Sequence, residues 1–286
     1  MISRGNEYKI NIFTDSGLKF GIGHLIRCQE IKDELLRNNI NVKFFDKTIN
    51  YKYHLNHKCD LAFIDLPYDM TPHINFWHNK GSKVVTLEYF DNTAQPDLNI
   101  SVLDFPEKIK NTNYQISGLD FIIIRSKIRR VQTTYHGGYG LVMMGGGLNE
   151  LLKINKLINS NYQIKIIVGP YTNPTESVKS RKNFEVLKNP KNLPEIMSGC
   201  DWCITNGGIT MLEMIYYKKL IFSYPKNANE RILSEVMLES GLINSINSNK
   251  IKIHKNDYYL PKINYLFDGL GAQRIVEKIK SKLAVE

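Results

Sequence analysis

Long apolar runs are missing from this chain. None approaches the roughly 18 residues that a membrane-crossing helix needs. The opening residues, Met1-Ile2-Ser3-Arg4-Gly5-Asn6-Glu7, lack the apolar core of a secretion signal. Cysteine is scarce too, and four in 286 residues cannot staple a fold of this size. Acidic residues are the minority charge: Asp plus Glu number 28 against 38 Lys plus Arg, for a net charge of +10. These shortages argue against a membrane-spanning, secreted or disulfide-built protein. The expectation is a soluble, cytoplasmic chain with no stable membrane anchor. Its 42% hydrophobic and 23% charged residues are those of an ordinary globular protein, not a disordered or fibrous one.

The positive charge has no nucleic-acid motif behind it. There is no zinc finger, RNP-type strand or Lys/Arg-rich helix, and Lys, Asn and Ile are enriched throughout. No nucleic-acid partner is expected. A phosphate-bearing small substrate or an anionic surface accounts for the charge equally well. The densest basic cluster, Arg125, Lys127, Arg129 and Arg130, falls in a stretch that reads as linker.

What is present is alternation. Short β-branched runs (Tyr8–Thr14, Ile40–Phe45, Asp60–Asp65, Lys83–Leu87, Asn99–Leu103) alternate with helical patterns, the signature of parallel α/β construction. His24–Arg37 reads as a helix with Leu25, Cys28, Ile31, Leu35 and Leu36 on one face. The periodicity lapses around 129–138 and then starts afresh with a strand (Gly140–Met144), a glycine loop and a helix (Leu148–Ile158). Strands follow at Gln163–Val168, Phe184–Leu187, Asp201–Thr205 and Leu220–Tyr224. Two similar α/β halves are predicted, 1–134 and 135–286. The amphipathic tail Gly271–Leu283 is a candidate to pack back on the first half.

Three glycine loops carry the chemistry. The first, Asp15 through Cys28, joins a strand to a helix, where open α/β sheets bind ligands. Gly21 and Gly23 let backbone approach a ligand, and His24 falls in the helix's first turn. A helix N-terminus disfavours the imidazolium, and the neutral imidazole is the form a general base requires. The competing reading is a glycine turn with a capping histidine. The second loop, Gly145-Gly146-Gly147, offers N–H groups to a phosphate. It is neither a Walker motif nor a dinucleotide fingerprint. The third, Asn206-Gly207-Gly208-Ile209-Thr210, opens a helix with N–H groups and a hydroxyl for a diphosphate, and Glu213 one turn on could accept hydrogen bonds from a ribose diol. Alternatively, Glu213 serves only the helix dipole.

At these residues the chain resembles a family. The run Gly21-x-Gly23-His24-x-x-Arg27-Cys28, the later Gly207-Gly208-x-Thr210-x-x-Glu213 and the closing Asp268-Gly269-x-Gly271-Ala272-x-Arg274 look like the UDP-2,4-diacetamido-2,4,6-trideoxy-β-L-altropyranose hydrolases of pseudaminic acid biosynthesis. Gly118 to Arg125 resembles the same family's end-of-domain segment. The resemblance implies a GT-B fold, two Rossmann-like domains facing a cleft, with nucleotide on the second. It implies His24 as the base that activates water and Glu213 as a ribose ligand. Gly21, Gly23, Arg27, Asp15, Tyr68 and Asn229 would contact substrate, and Gly145, Gly146, Gly147, Gly207, Gly208 and Thr210 the nucleotide. The chain departs from the family at Gly147-Leu148-Asn149, where an acidic residue is usual, at Asn229-Glu230 for Asn-Gln, and at Lys218-Lys219 for Leu-Gly. MurG-type glycosyltransferases share the fold and loops, so a transferase stays open.

Lesser signals add little. Cys200-x-x-Cys203 lacks a second pair at zinc spacing and reads as structural. Asp65, Asp69, Glu88 and Asp91 end strands and read as structural as readily as functional. No metal and no cofactor are expected. The expected partner is a UDP-sugar, and the expected state a monomer.

Overall fold

The computed structural model describes residues 8–17, 22–46, 58–91, 93–104, 113–133, 137–144, 163–169, 182–247 and 268–284. Gly21, Gly145, Gly146, Gly147, the helix expected at 148–158 and position 134 lie outside them. The chain forms two compact units, Met1–Arg125 with Asp268–Glu286, and Ser126–Phe267. The division thus falls before the predicted linker's end, and the C-terminal segment belongs to the first unit.

The first unit runs β1 (Lys9–Thr14), α1 (Gly23–Arg37), β2 (Asn41–Asp46), β3 (Leu61–Asp65), α2 (Thr71–Asn79), β4 (Lys83–Leu87), β5 (Leu98–Ser101) and β6 (Gln115–Ser117). The strands form a parallel sheet of order β2-β1-β3-β4-β5-β6. Strand side chains alternate between faces, and both faces are covered. Ile10, Ile12, Leu61, Phe63, Val85 and Ile100 pack with Ile31 and Leu35 of α1. Phe13, Ala62, Ile64 and Val84 pack with Ile74 and Trp77 of α2. Near-continuous apolar strands are what such a doubly covered parallel sheet demands.

The second unit begins with a short helix α3 (Ser126–Arg129) and continues through β7 (Tyr139–Met143), β8 (Gln163–Val168), β9 (Phe184–Lys188), α4 (Leu193–Gly199), β10 (Trp202–Thr205), α5 (Ile209–Tyr216), β11 (Leu220–Ser223), α6 (Ala228–Glu239) and β12 (Ser245–Ile246). Its parallel sheet has order β12-β11-β10-β7-β8-β9, the strand order of a Rossmann sheet. Gly140 is needed for packing: a Cβ there would sit 2.0 Å from the Trp202 ring.

The last helix, α7 (Gly271–Ala284), returns to the first sheet. Ala272, Ile275, Val276, Ile279 and Leu283 join the cluster already lined by α1. Arg274 is paired with Asp268 and donates to the Asp120 carbonyl at 3.1 Å. Gly271 lies against Ile122, whose carbonyl oxygen would be 2.1 Å from a Cβ.

Candidate functional site

In each sheet the chain leaves a central strand in opposite directions. Such a switch point opens a crevice at the carboxyl ends of the two strands. In the first sheet these strands are β1 and β3, and the register sets Thr14 opposite Asp65. The loop after β1 ends at α1, so His24 and Asp65 arrive at the same edge from different strands. His24 Nδ1 lies 2.7 Å from Asp65 Oδ1. Arg27 donates to the same carboxylate twice, from Nε to Oδ2 at 3.0 Å and from a terminal nitrogen to Oδ1 at 2.7 Å. The Cys28 thiol, 3.7 Å from Oδ2, faces the same group. Positions 24, 27 and 28 are i, i+3 and i+4 of one helix and therefore share a face. The three side chains of the histidine motif converge on one carboxylate.

The electrostatics follow from burial. The Asp65 side chain is fully covered, while that of His24 keeps 25% exposure. Burial pushes the Asp65 carboxyl upward, but Arg27 and then His24 outweigh it and hold it below the ordinary carboxylate range. Burial also works against the Arg27 charge, and Asp65 and then Glu88 more than restore it. Glu88, just past β4, is raised by burial despite Arg27 and the Val102 N–H. Its backbone is left-handed, φ +55°, a conformation costly for a residue with a Cβ. It is held there by its own N–H donating to Ile100 at 2.9 Å and by Val102 N–H donating to Oε1 at 3.0 Å. The Cys28 thiol is pushed well up by burial, with Asp65 adding to it.

Asp15 and Tyr68, also anticipated from sequence, meet at this edge. The Tyr68 hydroxyl donates to Asp15 Oδ2 at 3.3 Å, and Ser16 N–H to Oδ1 at 2.7 Å. In the sequence Asp65 and Glu88 stand out only as strand-end carboxylates. The signal that would have singled out Asp65 is the equal height of β1 and β3, which is a tertiary fact.

In the second sheet the switch point lies between β7 and β10, and Asn206-Gly207-Gly208 directly follows β10. Gly207 is packed against α6, where a Cβ would lie 2.1 Å from the Glu230 carbonyl oxygen and 2.4 Å from Ser234 Oγ. Gly208 is the extended residue preceding α5, and nothing lies nearer than 4.0 Å to a Cβ there. Thr210 is half-buried in the first turn, and Glu213 is fully buried. Asn206 is 7% exposed, and its side-chain carbonyl oxygen has no donor among the described residues. Asn229 is exposed near the start of α6. Its neighbour Glu230 is occupied in capping: it accepts from Lys226 N–H at 2.7 Å, while its own N–H donates to Asn227 at 2.9 Å. The thiols of Cys200 and Cys203 are buried and pushed up, Cys200 to about 12, as inert core cysteines should be.

The glycosyltransferase of kitacinnamycin superposes with a TM-score of 0.67 at 11% identity, over 97% of this chain and 100% of that one. The UDP-GlcNAc 2-epimerase of Methanocaldococcus jannaschii gives 0.66 at 12%, over 96% and 99%. MurG of Acinetobacter baumannii gives 0.56 at 12%, over 96% and 92%. The fold is GT-B. In sequence, the uncharacterized protein MJ1062 of M. jannaschii is 23% identical over 267 residues, covering 73% of this chain and 54% of that protein. The chain thus spans about half the length of that relative. No family model matches it. Among the described residues no helix is long and apolar enough to cross a membrane.

Proposed function

We propose that this chain is a metal-independent hydrolase of a UDP-linked deoxy amino sugar, working in nonulosonic-acid or surface-glycan biosynthesis. The observation that carries the reading is the partly exposed His24, backed by a buried carboxylate at the β1–β3 switch point. That arrangement suits a base that takes one proton from water. The water oxygen attacks the anomeric carbon, the bond from that carbon to the diphosphate oxygen breaks, and UDP leaves with the electron pair. The start of α5, with Gly207, Gly208 and Thr210, suits the diphosphate, and the buried acceptor on Asn206 suits a donor from the nucleotide. The resemblance of the histidine motif supports the hydrolase, and the UDP-sugar named with the epimerase structure supports the nucleotide.

A second reading, a glycosyltransferase, is favoured by the transferases among the solved structures of this fold. The two differ in who attacks. A hydrolase releases UDP from the right sugar nucleotide with no acceptor present, and ¹⁸O from labelled water then appears on the sugar. Label on UDP would mean attack at phosphorus, and turnover only with an acceptor would establish the transferase. His24→Ala should lower the hydrolytic rate about 10²–10⁴-fold with little change in UDP affinity. A near-normal rate in that variant would remove His24 from the chemistry.

A further inference from the structure

The family resemblance of the motif His24-x-x-Arg27-Cys28 implies Arg27 as a substrate contact. The geometry assigns it another task. We propose that Asp65 and Arg27 are positioning residues that hold His24 as the Nδ1–H tautomer, leaving Nε2 as its outward acceptor, and that Arg27 does not bind substrate. This deepens the reading of His24 as a base and rests on it.

Nδ1 has two close neighbours: Asp65 Oδ1 at 2.7 Å and a terminal nitrogen of Arg27 at 3.0 Å. A carboxylate only accepts and a guanidinium only donates. If Nδ1 carried the lone pair, that lone pair would face a carboxylate oxygen at 2.7 Å, and the Arg27 hydrogen would be contested between two acceptors. If Nδ1 carries the hydrogen, it donates to Oδ1, and Arg27 donates to both carboxylate oxygens, so every hydrogen has an acceptor. The shorter contact decides for the second arrangement. Nε2 has no hydrogen-bond partner among the described residues, and the His24 side chain keeps 25% exposure.

The two bonds from Arg27 also explain why Asp65 stays put. A bidentate guanidinium fixes the plane of a carboxylate as well as its position, and the Cys28 thiol closes on Oδ2. With Nε and one terminal nitrogen spent on Asp65, and Glu88 next among the carboxylates acting on it, Arg27 is committed within its own unit. Its effect on the reaction passes through Asp65 to His24.

The test begins with the resting protein and needs no substrate. In ¹⁵N-histidine-labelled protein at neutral pH, the His24 signals are assigned by their loss in His24→Asn. Nδ1 should show the shift of a protonated ring nitrogen and Nε2 that of an unprotonated one. Asp65→Asn, which keeps the volume of the side chain, should mix the tautomers or favour Nε2–H. It should lower kcat about 10²–10⁴-fold while KM stays within about threefold. Arg27→Gln should give a smaller kcat loss, also at unchanged KM, with Arg27→Lys partly restoring the spectrum. A wild-type His24 protonated at Nε2, or on both nitrogens, overturns the proposal, whether or not any variant folds. So does an Arg27→Gln variant with raised KM, normal kcat and an unaltered His24 spectrum, because Arg27 would then be a substrate ligand. Expected spectra in a chain that hydrolyses no sugar nucleotide would support the tautomer assignment and reject the hydrolase reading.

Discussion

Asp65 and Glu88 share Arg27 as a neighbour yet answer to acid in opposite ways. The folded chain holds the Asp65 carboxyl below its ordinary value. The stabilisation it supplies is complete above the unfolded value of about 4 and is lost as pH falls through the folded value. Glu88 is raised, so the folded chain keeps its proton longer than the unfolded chain does. Stability is lost there as pH rises through the unfolded value of about 4.3 toward the folded one. In thermal unfolding across the acid range, Asp65→Asn should cost most at neutral pH and its deficit should shrink below about pH 4. Glu88→Gln should gain on wild type as pH rises. Parallel melting profiles for either variant would mean that its carboxyl titrates alike folded and unfolded. Asp65 was legible from sequence as a strand end and no more, because nothing local to residues 60–70 names His24 as its partner.

Elements differ in how far their own sequence explains them. Of the apolar face read on α1, Cys28, Ile31 and Leu35 are buried as the period demands, Leu25 is half-buried, and Leu36 at the rim of the stripe is exposed. α7 is amphipathic, with Ile275, Val276, Ile279 and Leu283 buried together. α2 has no clear signature in the sequence, because nine residues starting Thr71-Pro72 and carrying two histidines give too short and mixed a pattern. β6, three residues at the sheet edge, is too short to show a period either. Because α7 fills the layer beside α1, Ile279→Ala should destabilise the first unit by about 2–5 kcal/mol, the range for a buried aliphatic truncated to alanine. The chain has two tryptophans, Trp77 in the first unit and Trp202 in the second. Denaturant unfolding followed in Trp202→Phe and Trp77→Phe backgrounds separates the two units. Only the transition reported by Trp77 should move, and an equal shift in both would show that α7 supports the whole chain rather than one sheet.

At the scale of the molecule, two parallel sheets each carry a switch point, with His24 at the first and Gly207-Gly208 at the second, because a segment that follows a central strand emerges at its carboxyl end. The third loop raises a question that binding can answer. Glu213 is fully buried, which suits a carboxylate serving the fold as well as one reached by a ribose. Glu213→Gln keeps the shape, so the two roles separate. A ribose ligand predicts UDP affinity lower by about 1–3 kcal/mol in calorimetry with the melting temperature held. Unchanged affinity with a lowered melting temperature assigns Glu213 to the core. The alternating apolar runs by themselves determined two α/β halves, because strand and helix periodicity is written in neighbouring residues. They also put His24 and Gly207-Gly208 just after strands. Only the tertiary structure decided that α7 belongs to the first unit and that Asp65 is the carboxylate gripped by His24, Arg27 and Cys28. Those contacts join residues dozens to hundreds of positions apart. What selects them is the order of strands in a sheet and the covering of its faces, and no local pattern encodes either.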